Sequence, residues 1–357
     1  MDYEIKKFDA LTATAEEWSK YHTFRKKRHM ELTPDDPINP NEMIEIARKQ
    51  EIEDDLSYSE RYFVYNNSEI IGSLVMVVLT EQNPSYKGNE NLCQFDMSIL
   101  PEFRRNGLGT KLFQKIISFS EFNKKTILLT NTSEESGKNF LKKVGFSLAL
   151  AGKQNRLLFS DINWEMMQHW VDEGRKRNPE SKMMFFDSVP EDLIIPYSKV
   201  YTETMNQQPF GELEISDLIT TPELLRKREK EFAELSIIPV TAITIESNGD
   251  ISGLTEFFYN SNTGEILQQG LTGVKNEYRG RGLGKWLKAA LIIKIKEIYP
   301  EIKIVKTGNA ESNAPMLSIN ERMGFKVFKE DIMCQITVEK VKEKLEDLRT
   351  VESMLSA

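Results

Sequence analysis

The chain is poor in the residues that build metal and redox centres. Of its 357 residues only two are cysteines, Cys93 and Cys334. That is too few for a disulfide framework or a cysteine-based zinc site, and each reads as a buried thiol in a strand. There are three histidines, His22, His29 and His169. None pairs with another at helical ligand spacing and no H-E-x-x-H occurs, so no metal site is expected. A G-x-S-x-G elbow is also missing, which leaves a serine nucleophile without its usual setting. No apolar run approaches the length of a membrane span. The opening MDYEIKKFDA is charged and strand-like, unlike a signal peptide. No membrane partner and a cytoplasmic location are the expectations. The net charge is −8, and an acidic surface repels phosphate backbones, so no nucleic-acid partner is expected.

What is present is a repeat. The length predicts two domains, and two landmarks recur in order, about half the chain apart. Arg104-x-x-Gly107-x-Gly109 returns as Arg279-x-x-Gly282-x-Gly284, and Val144-Gly145-Phe146 returns as Met323-Gly324-Phe325. The elements around them follow one order. FVYNN, IIGSLVMVVL and NLCQFDMSIL read as strands of the first copy; VTAITIES, ISGLTEFFY and EILQQGLTGV take those places in the second. A helix follows each Gly-rich stretch, with Leu283, Trp286, Leu287, Ala290, Leu291, Ile295 and Ile298 on one face in the second copy. Short strands at 126–130 and 302–306 and a further helix lead to each Gly-Phe. Upstream, residues 15–32, 41–52, 162–177, 190–206 and 221–235 read as helices. The expected division is 1–160 and 161–337, with a terminal helix over 338–357 whose stripe is Val341, Leu345, Leu348 and Leu355.

The loops carry the chemistry. YRGRGLGKWLK at 278–288 and FRRNGLGTKLF at 103–113 each leave a strand and enter a helix. Glycines at 280, 282 and 284 let backbone N–H groups converge, and the helix mouth adds unsatisfied N–H groups and a positive dipole end. Together they suit a phosphate or pyrophosphate. Arg279, Arg281 and Lys285 add positive charge. The Walker pattern does not fit, since Gly280 lies only four residues before Gly284; the dinucleotide pattern fails at Lys285.

An R-x-x-G-x-G loop between a strand and a long helix, followed by a strand, a helix and Gly-Phe, resembles the GNAT superfamily of N-acetyltransferases. Both halves carry the pattern, so the chain resembles a tandem GNAT protein, an arrangement also found in mycothiol synthase. The resemblance implies an α/β (α+β) chain of two GNAT domains. Each has a mostly antiparallel, centrally splayed mixed sheet flanked by helices. It implies acetyl-CoA as co-substrate, no metal, and direct attack of an amine on the thioester. Carried over by position, Val274, Arg279, Gly280, Arg281, Gly282, Leu283, Gly284 and Lys285 would hold the donor, with Asn309 and Asn313 beside it. A second donor site would comprise Arg104, Arg105, Asn106, Gly107, Leu108 and Gly109.

The copies differ at the remaining family positions. Counting back from Gly-Phe, Thr130 and Glu134 of the first copy stand where Asn309 and Asn313 stand in the second. The second copy is therefore expected to be catalytic and the first degenerate. Asn313 reads equally well as a helix N-cap. The family's tyrosine acid, four residues before the Gly of Gly-Phe, is replaced by Leu141 and Asn320. Glu256, in the apolar strand LTEFF, is the candidate base: a desolvated carboxylate there is suited to accepting a proton. A solvent-facing or cation-paired Glu is the alternative. Asp96 is the weaker candidate of the first copy. Phe185, Phe186, Phe257 and Phe258 could line an acceptor pocket, though most such residues are core.

Three functions are compatible with this pattern. The first is an N-acetyltransferase acting on a primary amine of a small molecule, as a monomer or homodimer. The others are a non-catalytic acyl-CoA sensor, which the missing tyrosine favours, and an acetyltransferase acting on a protein or peptide. Thiol release from acetyl-CoA in the presence of amines separates the first from the second.

Overall fold

The structure, a computed structural model, describes residues 3–355. It divides into two compact units. The first unit comprises residues up to 150, 212–216 and those from 331 on; the second comprises 151–211 and 217–330.

The first unit starts with β1 (Tyr3–Phe8), α1 (Ala15–Leu32) and α2 (Asn41–Glu53). Thr14 caps α1 in a reciprocal box with Glu17. Then come β2 (Ser57–Asn66), β3 (Glu69–Leu79), β4 (Leu92–Ile99), α3 (Leu108–Phe122), β5 (Ile127–Thr132) and α4 (Glu135–Lys143). Strands β1 to β4 pair antiparallel in sequence order. β4 and β5 are parallel and pair only over Leu92–Gln94 and Ile127–Leu129. Beyond that the strands part, and each leaves its backbone edge open to the gap.

β6 (Ser147–Leu158) links to the second unit, which continues with α5 (Trp164–Arg177), β7 (Lys182–Phe186), α6 (Ile194–Asn206) and α7 (Pro222–Glu234). β8 (Ile237–Ile245), β9 (Ile251–Asn260), β10 (Ile266–Val274), α8 (Leu283–Ile298), β11 (Ile304–Ala310) and α9 (Ala314–Met323) follow. The last elements are β12 (Lys326–Thr337) and α10 (Val338–Leu355). The second unit repeats the plan: β7 to β10 are antiparallel. β10 and β11 are parallel and pair only over Ile266–Gln268 and Ile304–Lys306. The mostly antiparallel, centrally splayed sheet expected of each copy is present in both.

The final strands differ from the expected division at 160 and 337. Residues Ile332–Thr337 of β12 pair with β5 in the first unit, while Gly152–Leu158 of β6 pair with β11 in the second. Each unit thus completes its sheet with the other copy's last strand. Both strands follow the same helix and Gly-Phe landmark, so local pattern carries no information on which sheet edge each one satisfies. β7 was not anticipated either. Its Lys182–Phe186 run has the exposed Phe185 and half-buried Phe186, and pairs with β8.

Each unit has its own apolar interior. In the first, Phe63, Leu74, Phe113 and Ile116 pack with Cys93 and Cys334, both buried free thiols. Burial pushes the Cys93 thiol up to about 11, which leaves it unreactive near neutrality. Val341 and Leu345 of α10 belong to this core; the side chains of Leu348 and Leu355 lie outside the described residues. In the second, α8 is buried on nearly all sides, through Leu283, Trp286, Leu287, Leu291 and Ile295. Phe257 is part of that core rather than a pocket lining. Among the described residues no helix is long and apolar enough to cross a membrane.

Candidate functional site

In the second unit the Gly-rich loop forms an open helix mouth. Gly280 and Gly282 have φ of 81° and 82°, a left-handed conformation that other residues adopt only with strain. Gly282 is the N-cap of α8, and no side chain caps the helix. A Cβ at Gly280 would meet nothing within 4 Å, and one at Gly282 only Arg177 Nη1 at 3.8 Å. The first N–H groups of α8 therefore lack side-chain partners in a roomy setting. Leu283 anchors the mouth in the core, and Gly284 packs near Val274 and Ile319.

The arginines of the motif hold the loop's shape. Arg279 donates from Nε to Val274 O at 3.3 Å and from Nη2 to Gln207 Oε1 at 2.5 Å. Arg281 donates to Asn178 Oδ1 at 2.8 Å, Ser181 Oγ at 2.8 Å and Glu246 Oε2 at 2.9 Å. Its charge is already neutralised, so it positions the loop and is not free for an anion.

Two other cations stand at the mouth, and one of them, Arg322, falls outside the motif. Lys285 lies 5.8 Å from the centre of the Trp170 ring, and Arg322 from α9 lies 4.8 Å from it. Neither has a carboxylate partner among the described residues. Burial, then Arg322 and Arg177, hold the Lys285 ammonium below its ordinary range. Mutual repulsion between cations is what a bound anion relieves. A pyrophosphate fits both this charge and the uncapped helix mouth.

The asparagines divide. Asn313 is the N-cap of α9 and accepts from Met316 N at 3.4 Å. Asn309 is in a different setting. Lys288 Nζ donates to Asn320 Oδ1 at 2.5 Å, and Asn320 Nδ2 donates to Asn309 Oδ1 at 2.6 Å. Lys288 is 1% exposed, and burial lowers its ammonium to about 7. Its other neighbours are Met316 Sδ at 3.9 Å and the Phe325 ring at 5.4 Å. The first copy is apolar at the corresponding places: Phe113 stands for Lys288 and Leu141 for Asn320, both buried. That internal difference is the sequence signal that could have revealed Lys288.

Glu256 is 1% exposed and fully engaged. Its Oε1 accepts from Tyr201 Oη at 2.7 Å and Leu271 N at 3.4 Å, and its Oε2 faces Arg228 Nη2 at 3.4 Å. Arg228 Nη1 also donates to Tyr201 Oη at 2.8 Å. Burial and then Glu256 raise the Tyr201 phenol well above its ordinary range. A β-bulge in β10 between Gln269 and Thr272 makes room, since a Cβ at Gly270 would lie 2.7 Å from Glu256 Cγ. The burial expected of a base is found, together with the cation pairing of the alternative.

The first unit keeps a loop but changes its surroundings. Gly107 caps α3 at φ 74°, and Arg105 takes a left-handed φ of 66° where the second copy has Gly280. Leu108 is buried in the core, while Asn106 Nδ2 donates to Phe103 O at 3.4 Å. A Cβ at Gly109 would meet the Phe140 ring at 2.9 Å. Arg104 is neutralised by Glu31 at 2.5 Å and Glu134 at 3.0 Å. Beside it lies a cavity of about 450 Å³ between the parted β4 and β5, and Asp96 lines it. Asp96 accepts no hydrogen bond from a described residue. Asp96 is exposed, yet the chain packed around its carboxyl desolvates it enough to raise it above the ordinary range, opposed by Arg61 and Arg28 and supported by Glu134. Among the described residues no group of three or more metal-ligating side chains is assembled.

This splayed sheet with a glycine-started helix beside the gap, present twice, is the GNAT architecture in tandem. Residues 58–148, within the first copy, match the GNAT acetyltransferase domain family. A tandem GNAT protein from the clavulanic acid biosynthesis pathway has a similar fold, with a TM-score of 0.73 at 16% identity. The match covers 94% of this chain and 99% of that one. A GCN5-related N-acetyltransferase from Sphaerobacter thermophilus matches with a TM-score of 0.63 at 14% identity, over 94% of this chain and 96% of its own. No curated protein matches the sequence. Residues 58–148 are thus a GNAT domain, and the fold of the chain is that of the tandem GNAT proteins. The sequence match falls on the copy that lacks the asparagines.

Proposed function

We propose that the chain is an acyl-CoA-dependent N-acetyltransferase that moves the acetyl group of acetyl-CoA to a primary amine of a small molecule. The observation that carries this is the mouth of α8, where an uncapped glycine start meets Lys285 and Arg322, two cations on one indole without a carboxylate partner. A CoA pyrophosphate would satisfy the N–H groups and quench the repulsion. From Gln269 to Val274 the edge of β10 that faces β11 is open, its other edge pairing with β9, and offers peptide groups for the pantetheine arm. In direct attack the amine nitrogen bonds the acetyl carbon as the carbon–sulfur bond breaks. The amine proton passes to a base, and the thiolate takes up a proton.

A second reading places the transfer in the first unit. Asp96 favours it: its oxygens are free and open to a cavity, while those of Glu256 are occupied. Thiol release from acetyl-CoA with a panel of amines tests the function, and Asp96→Asn beside Lys285→Met separates the readings. Binding of CoA with no turnover on any amine would sink the proposal and leave a sensor.

A further inference from the structure

The cavity of the first unit is lined by two charges of opposite sign, each without an ion-pair partner among the described residues. Its base is the parting of β4 and β5; α1, α2 and β2 supply its charged walls. Three of the four arginines that line it are already paired. Arg28 contacts Glu31 and Glu134, Arg61 lies 3.0 Å from both oxygens of Glu51, and Arg48 lies 2.5 Å from the same carboxylate. Arg25 differs. Its Nη2 donates to the neutral Asn41 Oδ1 at 2.7 Å, and it has no carboxylate within ion-pair reach among the described residues. Asp96 likewise has no partner, and the two are not bonded to each other. Three wall atoms, Arg25 Nε, Arg48 Nε and Ser98 Oγ, are buried with no hydrogen-bond partner.

Arg25 is partly buried and its Nε lacks a partner, an arrangement that native structures rarely leave unanswered, while Asp96 is exposed and presents a free carboxylate to the same cavity. A purely cationic ligand would answer Asp96 and leave Arg25 as it is; an anionic one would do the reverse. We propose that this cavity binds a small zwitterion, with its ammonium on Asp96 and its acid group on Arg25. The volume, about 450 Å³, is within the range of small-molecule sites. Phe24, Val75 and Phe95 add apolar wall for the carbon skeleton between the two charges. Naming this zwitterion as the acetyl acceptor rests on the N-acetyltransfer reading; its binding does not. In that case the ammonium first gives one proton to the Asp96 carboxylate; the freed amine nitrogen then bonds the acetyl carbon as the thioester carbon–sulfur bond breaks, and its second proton passes to the leaving thiolate.

The test is calorimetric titration of the full chain with leucine, 4-aminobutyrate and 6-aminohexanoate, zwitterions of different charge spacing. Hexylamine and hexanoate are the singly charged controls. At least one zwitterion should bind about tenfold or more tighter than both controls, the scale of one charge-assisted bond. Asp96→Asn and Arg25→Gln should each remove that advantage. Should Arg25→Gln fail to fold, Arg25→Lys keeps the charge and should retain part of it. Controls that bind as well as the zwitterions, no zwitterion binding, or an advantage unchanged in Asp96→Asn would each overturn the proposal. Thiol release from acetyl-CoA is followed with the same compounds. Zwitterion binding without release supports the cavity and defeats the transferase reading. Release that is indifferent to Asp96→Asn and to the acid group does the opposite.

Discussion

Lys288 and Asn320 are joined in the interior of the second unit, with the ammonium nitrogen 2.5 Å from the amide oxygen. Among the described residues no carboxylate neutralises this lysine, and the first copy has Phe113 and Leu141 in place of the pair. Burial lowers the Lys288 ammonium from 10.5 to about 7. The unfolded chain therefore binds more protons than the folded one between those values, and stability rises with pH across that window. Below about 7 the cost of enclosing the charge is fully present; above 10.5 it is gone. At about 1.4 kcal/mol per pH unit the upper bound is roughly 5 kcal/mol. Lys288→Met should flatten the rise in unfolding free energy from pH 7 to 10, as measured by denaturant titration. A slope equal to that of the native chain would mean the lysine is not buried as a cation.

Lys285 and Arg322 make a separate prediction about the donor. Each should supply a charge-assisted contact to the CoA pyrophosphate, worth about 1.5–3 kcal/mol. Lys285→Met and Arg322→Met should each weaken CoA binding by about tenfold or more, with little change in melting temperature, since neither has a carboxylate partner to lose. Binding should also weaken with salt in the native chain, less so in the variants. Calorimetry across a salt series checks both.

These two clusters show what the sequence made legible. The repeat, the loops and most helices were readable because their signals are local: glycine spacing and apolar stripes. The splay was readable through the family resemblance. The rest depends on residues distant in the chain. Arg322 reaches the loop from α9 and Arg177 from α5. Glu256 is fixed by Tyr201 and Arg228, from α6 and α7. Lys288 is one lysine among several in KWLKAALIIKIK, and nothing local distinguishes the one that points inward. The exchange of β6 and β12 is invisible for the same reason, because pairing partners are set by sheet edges.

Glu256 should behave as a structural residue. Removing it leaves Arg228 facing a buried site without its counter-charge, which for a buried pair costs about 3–5 kcal/mol. Glu256→Gln should therefore lower the melting temperature of the second unit, and Tyr201→Phe should lower it less. If Glu256→Gln instead folds with undiminished stability and loses turnover alone, the base role returns to Glu256.

Arg105 offers a test in the opposite direction. Its φ of 66° is left-handed, where a side chain costs about 1–2 kcal/mol; the second copy has Gly280 there at 81°. Glycine removes that strain but adds freedom to the unfolded chain, about 0.4–1 kcal/mol. The balance for Arg105→Gly is a gain of about 0.5–1 kcal/mol. No ion pair is lost, since Arg105 forms none among the described residues. A change of the opposite kind, Gly282→Ala at the helix cap that matches Gly107, introduces at φ 82° the sort of strain that Arg105→Gly relieves. It should destabilise by about 1 kcal/mol and weaken CoA binding, because it distorts the start of α8. Thermal unfolding of the two variants should shift in opposite directions. A drop in both would show that Arg105 contributes more through contacts than it costs through its backbone.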